Sequence, residues 1–163
     1  MAVILVEQVI EAAIASHLKT ALHPVAVDVM PDKEKQPCYP NGAVLVSYAS
    51  SRFGETKAMG DVVVQQETMS FDVTILARSL RDRLGIYPLM RGAKLALLGY
   101  RPPHCDALVL KNSQCLDRED MVWIWSLTFE TTTLTVSDPG SETLPLLQRI
   151  TLDNNLTESE EIT

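Results

Sequence analysis

The chain has 163 residues, 46% hydrophobic and 21% charged, which fits one globular domain with its own core and excludes a mini-protein that needs disulfides or metal to fold. Fourteen basic against 21 acidic residues leave a formal charge of −7, which argues against a surface built to neutralise nucleic-acid phosphates. Three cysteines, Cys38, Cys105 and Cys115, are odd in number and irregular in spacing, so they do not read as a disulfide framework and fit a reducing compartment.

The opening MAVILVEQVI lacks a basic n-region, and Glu7 and Glu11 interrupt it too early for a secretory signal. No run approaches the roughly 18 apolar residues of a membrane helix, so folding in the cytosol and no membrane partner are expected. Val6, Val9, Ile10, Ala13, Ile14, His17, Leu18 and Ala21 recur at three- and four-residue spacing and predict an amphipathic helix that His23-Pro24 ends. Val25–Val29 alternates and predicts a strand. Pro31–Gly42, with three prolines and Asn41-Gly42, reads as a loop. Ala43–Ala49 is apolar and β-branched, as in a buried strand.

Ser50–Val64 reads as a long connection, loosened by Gly54 and Gly60 and solvated by Arg52, Glu55, Lys57 and Asp61. Gln65–Ala77 alternates strictly, with Met69, Phe71, Val73 and Ile75 on one face, so Ala43–Ala77 forms a hairpin with an extended tip. After a charged joint, Arg78–Leu84, a second helix runs from Ile86 to about Leu98. Its stripe is Ile86, Leu89, Met90, Ala93 and Leu97; Pro88 suits its first turn and Gly99 its end. Ala107–Leu110 predicts a strand, with Cys115 in its extension or partner. Met121–Val136 holds a long strand with Trp123, Trp125, Leu127 and Phe129 on one face. Beyond Ser137 the sequence turns polar and acidic around an apolar cluster, Leu144, Leu146, Leu147, Ile150 and Leu152. The expected fold is α+β: an antiparallel sheet of about 4–6 strands, two helices packed on one face, and an extended C-terminal tail. The domains are 1–136 and a C-terminal extension, 137–163.

The sequence offers no catalytic residue, metal site or cofactor motif. His104-Cys105 with Cys115, His23 or Cys38 lacks the paired spacing of a zinc site, and a strand cysteine is by default a small buried hydrophobe. No Gly-x-Ser-x-Gly elbow or phosphate-cradling glycine loop occurs. Glu119-Asp120 and the Glu7/Glu11 pair read as solvated charge. Arg78, Arg81 and Arg83 read either as a solvated connection or as an interface cluster, since arginine is enriched where proteins meet.

The ordered run Ser70–Arg81, Gly85–Leu89, Ala93, Leu97 and Gly99–Pro102 resembles the Mu-type phage and prophage family of gene product thirty-seven. Ala43–Tyr48 upstream and Trp123–Trp125 with Phe129 downstream resemble its other strands. The resemblance covers roughly residues 4–135 and leaves the segment after Ser137 unmatched. It implies a structural, non-enzymatic tail protein of the virion: a tail terminator at the head-proximal end. Such a protein forms a homo-oligomeric, six-fold ring on the tail tube, touches the sheath and the head-to-tail connector, and lets DNA pass through its bore. Acidic charge lining that bore would repel DNA. A connector or baseplate adaptor is the alternative, and a small-ligand binder, an enzyme using His104 and Cys105, or an assembly chaperone belong to other classes. For a ring subunit the expected contact residues are Arg78, Arg81, Arg83, Arg52 and Lys57 with Leu144, Leu146, Leu147, Ile150 and Leu152.

Overall fold

Two helices and five strands follow in the order α1 (Val6–Ala21), β1 (Ala26–Val29), β2 (Ala43–Met59), β3 (Val62–Ala77), α2 (Ile86–Leu97), β4 (Val109–Glu119) and β5 (Val122–Val136). The structure, a computed structural model, describes residues 6–32 and 42–137. The loop expected over Pro31–Gly42, Cys38 and the segment after Ser137 therefore lie partly or wholly outside the described residues. Internal packing divides the chain into two units, Met1–Phe53 with Glu67–Thr133, and Gly54–Gln66 with Leu134–Thr163.

In the first unit the apolar stripes meet as their periodicity requires. Ile10, Ile14 and Leu18 of α1 and Ile86, Leu89, Ala93 and Leu97 of α2 are buried in one cluster with Phe71, Val73, Ile75, Leu127 and Phe129. Both helices thus cover the same face of the sheet, the α+β arrangement expected. Val6 and Val9, placed on the α1 stripe by spacing, are exposed at 53% and 41%.

The sheet order is β1-β2-β3-β5-β4. A two-residue turn at Gly60-Asp61 joins β2 to β3, and β4 pairs antiparallel with β5. Side-chain bonds Asp72–Thr128 and Ser70–Glu130 step in opposite directions along β3 and β5, as antiparallel neighbours require. One pairing differs from the expected antiparallel sheet: β1 runs parallel to β2, so the sheet is mixed. That register sets Val27 beside Val44 and Val29 beside Val46, and Val27, Val44 and Val46 are buried in the core.

The connection expected over Ser50–Val64 is instead regular strand, with β2 reaching Met59 and β3 starting at Val62. Side chains from Arg52 to Asp61 are exposed on both faces, so no hydrophobic alternation marks the strands there. In the second unit Val63 and Ser137 exchange two 2.8 Å hydrogen bonds: Ser137 N–H donates to Val63 O, and Val63 N–H donates to Ser137 Oγ. Between β4 and β5 the turn Asp120-Met121 holds both residues at positive φ, 46° and 64°. That is the torsion pattern of a tight hairpin turn, which ordinarily selects glycine.

Candidate functional site

The joint between β3 and α2 is fixed by backbone bonds. Ile86 N–H donates to Ser79 O at 3.0 Å, and Tyr87 N–H to Leu80 O at 2.9 Å. Pro88 has no N–H, and Leu89 N–H donates to Gly85 O at 3.2 Å. The first-turn donors that a helix usually leaves free are thus satisfied without a side-chain cap. Gly85 makes the fold-back tight, because a Cβ there would lie 2.9 Å from Leu80 C and O and from Asp82 O. Gly42 serves the neighbouring strand similarly: its φ is +85°, and a Cβ would meet Leu76 O at 2.8 Å.

Held on this joint, Arg78, Arg81 and Arg83 are all exposed. The Arg81 guanidinium lies 5.6 Å from the centre of the Tyr87 ring, and that ring meets Trp125 edge-on at 6.3 Å. Arg78 and Arg83 make no ion pair among the described residues. The α2 helix continues the same surface. Tyr87, Leu95 and Leu98 are 40%, 71% and 61% exposed, and Arg91 is exposed between them. Sequence periodicity left Leu95 and Leu98 off the core stripe without assigning them a role.

Arg52 is not gathered with these arginines. Its guanidinium bonds both carboxylate oxygens of Glu130 at 3.1 Å, while Lys111 Nζ lies 3.7 Å from Glu130 Oε2 and Ser70 donates to Oε1 at 3.4 Å. The Arg52 and Lys111 ion pairs therefore meet at Glu130, whose side chain is 14% exposed. Thr68, Ala107, Val109 and Thr132 line a recess beside them. Strand alternation sets Glu130 on the face of β5 opposite Leu127 and Phe129, and its partners come from sheet order.

Lys57 lies exposed in the second unit, on β2 beyond Gly54. Leu144, Leu146, Leu147, Ile150 and Leu152 lie outside the described residues. His104 is exposed and only its backbone carbonyl is engaged, accepting from Thr133 Oγ1 at 2.9 Å; Thr131 Oγ1 donates to Asp106 O at 2.7 Å, and half-buried Cys105 packs against the core. Burial raises the Cys105 thiol pKa above its ordinary value, outweighing the lowering effect of the neighbouring Thr133 and Thr131 hydroxyls. A thiol held in its neutral form is poorly suited to metal ligation or attack. Among the described residues no group of three or more His, Cys, Asp or Glu side chains is placed to hold a metal ion. Likewise no described helix is long and apolar enough to cross a membrane.

A chain from the virion of a native gene transfer agent particle aligns with a TM-score of 0.53 at 10% identity, covering 82% of this chain and 100% of that one. At that identity the likeness concerns the fold. No curated protein matches. The Gp37 protein family matches residues 14–154, and so extends past the resemblance read from the sequence into the leucine-rich segment after Ser137. With most of its length inside that match, the chain belongs to the Gp37 protein family.

Proposed function

We propose that the chain is a structural subunit of a phage-like virion: a tail terminator that closes as a homo-oligomeric, six-fold ring on the head-proximal end of the tail tube. The observation that carries this reading is membership of the Gp37 family together with a fold shared with a gene transfer agent virion chain. The surface chemistry agrees with a role in assembly. The joint presents three exposed arginines, and the α2 surface beside it is apolar and exposed. A ring subunit needs two unlike patches that fit each other when the rotation closes. Tube, sheath and head-to-tail connector are the partners in this reading, and DNA crosses the bore without being held.

The test is purified protein mixed with tail tubes and viewed by electron microscopy. Rings at one tube end, and tails of abnormal length when the gene is deleted, are the expected results. Protein seen at the baseplate, or absent from finished particles, would overturn the assignment.

A further inference from the structure

We infer that the exposed apolar stripe of α2 and the arginine joint at its start form a dock for the acidic, leucine-rich segment after Ser137 of a neighbouring copy. The inference rests on the ring reading above and supplies its subunit contact. The acceptor is built from three parts. Tyr87, Leu95 and Leu98 give exposed apolar surface at helical spacing. Arg91 lies between them, and Arg78, Arg81 and Arg83 flank the stripe at its start. Arg81 is tied to that stripe through its contact with the Tyr87 ring.

The donor has the complementary composition. Residues 138–163 carry six acidic side chains, Asp138, Glu142, Asp153, Glu158, Glu160 and Glu161, against one basic, Arg149. The acids lie on both sides of the apolar block Leu144–Leu152, and along the sequence arginines likewise precede and follow the stripe, at the joint and at Arg101. This segment therefore holds most of the excess negative charge of a chain at −7. Length allows the fit. Tyr87 to Leu98 spans about 16 Å at the helical rise per residue. Nine residues from Leu144 to Leu152 reach from about 12 Å if coiled to about 27 Å if extended. The Gp37 match runs through the leucine block to residue 154, so this block falls inside the family's own length.

A second copy is the occupant because each chain then carries one donor and one acceptor, the two unlike patches from which a head-to-tail ring closes. Apolar contact provides the binding, and the charges set orientation and weaken with salt.

The test uses full-length protein. A photo-crosslinking benzoylphenylalanine replaces Leu95 in an isotopically light chain, which is mixed with heavy chain, irradiated and mapped by mass spectrometry. Light-to-heavy crosslinks into residues 138–163 are expected. They should fall about tenfold in heavy chain carrying Leu146→Asp and Leu147→Asp, and when the light chain also carries Arg78→Glu, Arg81→Glu and Arg83→Glu. Crosslinks confined to a single copy, crosslinks mapping elsewhere, or yields that ignore both sets of substitutions would overturn the inference. Tube-end binding by the same variants separates the two readings. Rings that persist without this crosslink refute the dock and leave the tail role standing; a crosslink without tube-end binding does the reverse.

Discussion

Replacing Gly85 with alanine tests how tightly the joint is folded against α2. The backbone there has ordinary torsions, φ −81° and ψ 175°, so an added methyl meets no torsional strain. The conflict is in space: the new Cβ would sit 2.9 Å from three backbone atoms of Leu80 and Asp82, where ordinary contact begins at 3.4 Å. Backbone cannot rotate away as a side chain does, so Leu80–Asp82 must shift. That shift draws the Ser79 and Leu80 carbonyls from the N–H groups of Ile86 and Tyr87. Overpacking of this kind costs about 1–3 kcal/mol, and two weakened hydrogen bonds add up to about 1 kcal/mol each, giving a range of about 1–5 kcal/mol centred on about 3 kcal/mol. For a chain of this size the melting temperature should fall by roughly 5–15 °C. Gly99→Ala is the control, because its φ is +84° with nothing within 4 Å, so only the left-handed torsion is penalised. That penalty is about 1 kcal/mol. Equilibrium urea unfolding of both variants beside the native chain measures the difference. A Gly85→Ala loss smaller than that of Gly99→Ala would refute the steric argument.

Three further outcomes are expected. Arg52→Ala should change stability by about 0.2–1 kcal/mol, because that side chain is mostly in solvent, whereas Glu130→Ala should cost more since Lys111 and Ser70 lose the same partner. A double-mutant cycle in which the Arg52–Glu130 coupling fails to shrink as salt rises would contradict this reading. Met121→Gly should stabilise the chain by about 1 kcal/mol in thermal or urea unfolding, because Met121 holds φ 64° while 76% exposed and has little packing to lose. A destabilised variant would show that the methionine side chain contributes contacts the turn needs. The folded chain holds the Cys105 proton more tightly than the unfolded chain, so relative to Cys105→Ala its stability should fall as pH climbs past the ordinary thiol range. Relative stability that rises over that range would reverse the sign, and exposed Cys115 should react with a thiol reagent well before Cys105.

Much of the first unit was legible because its signals are local. His23-Pro24 and Gly99 mark helix ends, and the four buried residues of α2 fall on the stripe their spacing predicts. Leu127 and Phe129 alternate into the core as expected. The rest depends on information that no short window holds. The parallel pairing of β1 with β2 is a property of sheet order, visible only once Val27 and Val44 are seen side by side. The outer halves of β2 and β3 escaped recognition because a strand exposed on both faces carries no apolar period. Among the expected contact residues, the joint arginines were placed by their neighbours in sequence. Arg52 was placed by the exposed connection Ser50–Val64 that carries it, and it turns to a glutamate that lies 78 residues away in sequence.

The way α2 begins has a consequence for binding. Its first-turn donors are taken by carbonyls of the segment that carries the arginines. That segment therefore cannot swing open unless the first turn unwinds. A partner gripping Arg81 or Arg83 meets a backbone already ordered, and only the side-chain rotamers remain to be fixed on contact. Immobilising each such side chain costs about 0.5–1.5 kcal/mol, while the larger entropic cost of ordering a loop has been met during folding. A corner stiffened in this way makes any contact on it cheaper in entropy than one made by a loop that must order first.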